Sequence, residues 1–331
     1  MVIFRRFVLL LIIAAVALAG CESMKAANPI MPIKEYERMI IGRLDADYVG
    51  TQSCLSACHF HDQRQKDFEA STMGAQLSKE SGLPLVNCES CHGPGSLAIE
   101  NLTPERVKID AMEGKQTECN FKTFIDMKNL PPTAKSLICL KCHTANATFN
   151  LHDWNAGTHN INDVTCSDCH DIHAGPDLIV RPRKTFEMCF KCHADVEASF
   201  SLPSHHPVHE ERVFCSDCHN PHGTVTDKQL SEPTIKATCT KCHAEKEGPF
   251  IYEHAENTET CTTCHSPHGS ISNNLLTVQQ PFLCLQCHSG HRTGASGDAV
   301  SRGNRWTRCT DCHSHIHGTD TPGVSGGTFV Q

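Results

Sequence analysis

Cysteine and histidine dominate the reactive side chains of this chain, with 22 and 23 copies among 331 residues. Nine runs of Cys-x-x-Cys-His begin at Cys88, Cys139, Cys166, Cys189, Cys215, Cys239, Cys261, Cys284 and Cys309. A tenth, Cys54-Leu-Ser-Ala-Cys58-His59, has one extra residue between its cysteines. Random assortment at this composition yields about 0.1 matches, so the pattern is not accidental. The spacing is the attachment signature of c-type haem. Two thiols add across the two vinyl groups on one porphyrin edge, and the following imidazole lies under the ring and binds iron. Ten haem c groups are therefore expected. Their covalent anchors are Cys54 and Cys58, Cys88 and Cys91, Cys139 and Cys142, Cys166 and Cys169, Cys189 and Cys192, Cys215 and Cys218, Cys239 and Cys242, Cys261 and Cys264, Cys284 and Cys287, and Cys309 and Cys312. The proximal iron ligands are His59, His92, His143, His170, His193, His219, His243, His265, His288 and His313. Zinc sites do not require a His directly after every second Cys, and a thioredoxin-like site would occur once, beside a βαβ pattern.

Thirteen histidines remain, and most stand in register with the motifs. His61, His173, His222, His268 and His291 each follow the first Cys of a motif by seven residues, while His159 and His254 precede the next motif by seven. His205, His206 and His209 crowd the equivalent place in the second repeat, and His315 and His317 end the last. This excess is what a second imidazole on every iron requires. The distal set preferred here is His61, His152, His159, His173, His206, His222, His254, His268, His291 and His317. Pairings are left open, because a distal ligand often serves a haem other than its sequence neighbour. An iron closed on both faces moves electrons and does not bind substrate, so the chain reads as a carrier with no catalytic residues. Two imidazoles also lower the potential, whereas Met would raise it.

The elements that must position these groups come from a repeat. From Cys139 onward, motifs of the type CLKCH alternate with motifs of the type CSDCHNPH, and like motifs recur every 45–50 residues. Such a unit cannot bury a core alone and must stack on its neighbours. Apolar residues make up 39% and aromatic residues only 6%, so the chain is poor in core-forming side chains and must pack around its cofactors. The expected fold is a multihaem cytochrome c, mostly irregular with short α-helices and little or no β-structure, an elongated haem wire of tandem dihaem repeats. Residues 51–318 form the decahaem domain, with a diverged first unit at 51–134 and four dihaem repeats at 135–318. An insertion at about 97–138 precedes Cys139, and residues 319–331 read as a flexible tail. Pro and Gly after the motifs, as in Asn220-Pro221-His222-Gly223, mark turns. A net charge of −8 without a basic stripe argues against nucleic-acid binding.

At the N-terminus, Arg5-Arg6 precede an apolar run from Phe7 to Ala19, too short to span a membrane and suited to a secretory signal over residues 1–20. The run ends Leu18-Ala19-Gly20-Cys21, which looks like a bacterial lipobox with Cys21 as the lipidated first mature residue. Residues 21–50 then form a lipidated tether, and Glu22 in place of Asp favours the outer membrane. Cys119 lies outside every motif and reads as a buried free thiol.

The spans 186–223 and 239–270 and the ending CTDCHSHIHG at 309–318 resemble the MtrA/DmsE family of decahaem c-type cytochromes. The resemblance implies an electron conduit for extracellular, anaerobic respiration, seated in an outer-membrane β-barrel porin. It also implies periplasmic and outer-surface multihaem cytochromes as donor and acceptor. Two features depart from the family. Met73 stands where a His usually follows a Phe-x-x-Thr-like stretch. As a packing side chain Met73 needs no further role; as an iron ligand it would raise that haem's potential. The lipobox is the second departure. The rival readings are a multihaem oxidoreductase of a small nitrogen or sulfur compound, and a polymerising surface cytochrome. The first would call for a Cys-x-x-Cys-Lys motif, which the chain lacks.

Overall fold

The structure is a computed structural model that describes residues 41–57, 63–71, 73–82, 85–115, 119–143, 151–173, 182–254, 260–288 and 308–321. The signal at 1–20, Cys21, Cys58, His59, His61 and His291 lie outside the described residues. The chain divides into two compact units, Met1–His143 with Thr165–Pro176, and Thr144–Val164 with Asp177–Gln331. The boundary expected at residues 134 and 135 thus falls inside the first unit, which holds the motifs of Cys139 and Cys166 as well as those of Cys54 and Cys88.

Among the described residues each motif is built on a helical turn, either isolated or at the end of a longer helix such as Pro132–His143. The His backbone N–H donates to the carbonyl of the first Cys at 2.8 Å for His170, 3.1 Å for His193, 2.9 Å for His219, 3.0 Å for His243 and His265, 2.9 Å for His288 and 2.8 Å for His313. Residues three and four apart share a helix face, so one turn points both thiols and the imidazole the same way. Local caps start the turn. Asp168 Oδ2 accepts from Thr165 N at 2.6 Å, and Asp217 Oδ2 from Phe214 N at 2.8 Å. The Asp in each Cys-Ser-Asp-Cys run is therefore a helix-start device. Asn87 Oδ1 accepts from Ser90 N in the same manner.

In the first unit the insertion is not a loop. It carries the helix Pro104–Met112 and leads into Pro132–His143, and Ile125, Leu130, Ala134 and Ile138 form a small core against Cys91 and Met127. Ile125 N donates to His92 O at 2.9 Å, which ties this core to a motif histidine. Glu89, inside the Cys88 motif, is 2% exposed. Its carboxylate accepts from Val49 N, Gly50 N and Gly95 N at 2.8–2.9 Å. Cys119 is buried and disulfide-bonded rather than a free thiol.

In the second unit Phe186, Phe190, Phe200 and Val208 make the other core. Among the described residues there are no strands, only isolated bridges that recur with the repeat. His219 bridges Leu230 and His265 bridges Leu276, each within one repeat, while Ser204 bridges Ser270 and Tyr252 bridges Thr319 between neighbouring repeats. Thr319 is buried, and Asp320 accepts from Ile251 N at 3.1 Å, so the last repeat continues past the boundary expected at 318. The motif glycines do more than turn the chain. A Cβ on Gly269 would lie 1.8 Å from Ser199 O, and one on Gly223, at φ +105°, would lie 2.6 Å from Asp153 O. At both places the backbone of the preceding repeat abuts the glycine.

Candidate haem-binding sites

Stacking repeats by these contacts brings histidines together in twos. In the first unit the rings of His92 and His173 are stacked with centroids 6.3 Å apart. In the second unit His159 faces His193 at 6.2 Å, His206 faces His243 at 6.3 Å, and His219 faces His268 at 6.1 Å. His254 and His288 are 5.9 Å apart, and His265 and His317 are 6.0 Å apart. Every pair joins one motif histidine to one histidine of the expected distal set. A metal–imidazole nitrogen bond of about 2 Å, with the nitrogen about 1 Å from its ring centre, puts two imidazoles on opposite faces of one iron about 6 Å apart. The observed spacings fit a haem between each pair. Among the described residues no three His, Cys, Asp or Glu side chains converge as a metal cluster.

Carbonyl groups orient these rings. Nδ1 of His219 donates to Lys228 O and Nδ1 of His265 to Asn274 O, both at 2.8 Å. Lys228 and Asn274 have φ values of +55° and +58°, a left-handed conformation that aims their carbonyls back at the ring. His159 Nδ1 donates to Pro221 O at 2.9 Å, and His206 Nδ1 to Pro267 O at 2.6 Å. A proton held on Nδ1 leaves Nε2 free for iron. Burial, ahead of any neighbouring charge, lowers the pKa of His268 and of His317, which favours the neutral imidazole that binds metal.

The remaining histidines sort differently. His152 is exposed and shows no ring contact among the described residues. His222 is half-buried beside Asn220, whose Oδ1 accepts from His222 N. His209 lays its ring against Phe186, Phe190 and Phe200. His205 bonds Leu202 O at 2.5 Å and faces Glu210, and these contacts raise its pKa in that order. Sequence reasoning missed the orienting carbonyls, although the repeated Asn-Pro-His and Ser-Pro-His runs were their visible sign.

The thiols are also paired. The first cysteines of consecutive motifs interact as Cys54 with Cys88, Cys139 with Cys166, Cys189 with Cys215, Cys239 with Cys261, and Cys284 with Cys309. The hydrogen bond that the Cys54 thiol donates to Cys88, then burial, pushes Cys54 up, while the bond from Cys139 lowers Cys166 to about 7. Between these pairs, Cys91 lies within electrostatic reach of Cys142, Cys218 of Cys242, and Cys264 of Cys284. Lys141 Nζ, from the motif of Cys139, donates to Ser90 O in the motif of Cys88 at 2.9 Å. Within each compact unit, every motif therefore adjoins the next.

Tandem motif turns, facing imidazoles and adjoining thiols define a multihaem c-type cytochrome. Comparison with known proteins agrees. The family described as doubled CXXCH motif matches residues 159–198, 205–248 and 254–293, and the family cytochrome c554 and c-prime matches 104–171. The multiheme cytochrome MtrA of Shewanella baltica is 36% identical over 285 residues, covering 82% of this chain and 79% of that protein. The cytochrome c-type protein NrfB of Escherichia coli O6:H1 is 27% identical over 124 residues, covering 33% of this chain and 65% of its own. The chain belongs to the MtrA family of multihaem cytochromes, which are electron carriers.

Proposed function

We propose that this chain is a ten-haem electron conduit at the outer membrane. The cysteines and proximal histidines named from the sequence anchor and ligate its haems, and nine of the ten distal positions fall to histidines of the expected set. The observation that carries the reading is the facing of six motif histidines by six partner histidines at 5.9–6.3 Å, along a succession of adjoining motif thiols. Haem supplies reversible one-electron chemistry at iron. The protein does the rest. Its thiols fix the vinyl edges of successive porphyrins beside one another. The carbonyls of Lys228, Asn274, Pro221 and Pro267 hold imidazole rings in one orientation. Imidazole on both iron faces keeps substrate out, so the chain is a carrier and not an enzyme.

In this reading Cys21 carries lipid, a β-barrel porin sheathes the cytochrome, and other multihaem cytochromes donate and accept on either side, for extracellular respiration. Among the described residues no helix is long and apolar enough to cross a membrane. The test is purification of the tagged chain from detergent-solubilised outer membranes, followed by mass spectrometry of the whole assembly. A barrel protein should co-purify, and the cytochrome should carry lipid and ten covalent haems. Recovery as a lipid-free periplasmic protein without a barrel would overturn the conduit.

A further inference from the structure

We infer that Met73 is the sixth ligand of the haem held by Cys139, Cys142 and His143, which makes that haem the one His–Met centre in the row. The inference rests on the ten-haem reading. It comes from the register of the observed ring pairs. His193 faces His159, which follows the motif histidine His143 by 16 residues. His243 faces His206, which follows His193 by 13, and His288 faces His254, which follows His243 by 11. In each case the first motif histidine of one dihaem repeat is met by a side chain from the preceding repeat, 11–16 residues beyond that repeat's own first motif histidine. Carried one step back, the residue meeting His143 must fall 11–16 residues after His59, within 70–75. That window reads Ala-Ser-Thr-Met-Gly-Ala, and Met73 is its one side chain with a soft donor for haem iron.

A second regularity agrees. An aromatic residue precedes each of the three paired histidines by four to six positions, as Trp154, Phe200 and Phe250, and Phe68 precedes Met73 by five. The local backbone fixes Met73 in a tight turn at the end of the helix Arg64–Ala70. Buried Ser71 donates through Oγ to Phe68 O at 2.6 Å and accepts from Gly74 N at 3.0 Å. Ala75 N closes the turn on Ser71 O at 3.0 Å. A Cβ on Gly74 would lie 2.0 Å from Phe68 O, so the turn requires the glycine that follows the ligand. Met73 is half-buried in this turn.

A thioether in place of imidazole raises the potential of a haem. The Cys139 haem, flanked by motifs on both sides in the first unit, then becomes an electron reservoir along the row. The experiment is near-infrared magnetic circular dichroism on the oxidised, haem-loaded full chain, with the haem count fixed by mass spectrometry. The wild type should show a Met–His charge-transfer band carrying about one haem's share of the intensity. Met73→His should convert that share to bis-histidine signal. Met73→Leu should open one haem in ten to carbon monoxide in the reduced state, whereas Met127→Leu should leave both readouts unchanged. Bis-histidine bands alone in a fully loaded wild type, or a Met73→Leu spectrum identical to wild type, would overturn the assignment of Met73. A chain without covalent haem would instead overturn the reading beneath it.

Discussion

Facing imidazoles are the residue-scale unit of this protein, and removing one has a defined consequence. His268→Ala takes away the ring opposite His219. The reduced protein should then bind carbon monoxide at one haem, read as a change in about a tenth of the Soret intensity, with the other haems unaffected. Glu89 works differently, as structure rather than chemistry. Three backbone N–H groups converge on its buried carboxylate. Glu89→Ala leaves all three without an acceptor, at about 1–3 kcal/mol each. A clear fall in the midpoint of denaturant unfolding is expected, with Glu89→Gln intermediate. The histidine register was readable from sequence because spacing survives as a number. The partners were not, because each facing ring comes from a neighbouring repeat. Cys119 was misread for a related reason: a count of motifs says nothing of what lies beside a residue in space.

Elements here are short helices, many of them single turns, joined by loops that interlock. The turn was legible, since the Cys and His positions already encode a helix face. The loops were legible only as punctuation. Pro221, Gly223 and Gly269 were read as turn residues, yet the contacts show two glycines receiving the backbone of the preceding repeat. Gly269→Ala tests this. Its Cβ would collide with Ser199 O, and overpacking of this kind costs about 1–3 kcal/mol. The thermal midpoint of the loaded protein should drop, although the new methyl touches no haem ligand. The insertion at 97–138 was similarly opaque. Its apolar residues are unevenly spaced, and their role emerges only where Ile125, Leu130, Ala134 and Ile138 meet.

At the scale of the whole molecule, the described residues hold two small apolar clusters. A core so sparse cannot offset the conformational entropy of ordering the chain. The apolar mass must be porphyrin. The chain produced without haem attachment should therefore lack fixed tertiary structure by near-ultraviolet circular dichroism. Chelators should leave the loaded protein folded, because thioether-bound haem does not dissociate as zinc does. Composition made this dependence visible at once. The cofactor's place could not be drawn from sequence, since it depends on which repeats touch.

Electron paramagnetic resonance of the fully oxidised, haem-loaded chain tests the central claim most directly. Imidazole pairs closed on iron predict a spectrum dominated by low-spin, six-coordinate ferric haem. Dominant high-spin, five-coordinate signals would contradict it, since they would mean that the facing histidines do not meet across iron.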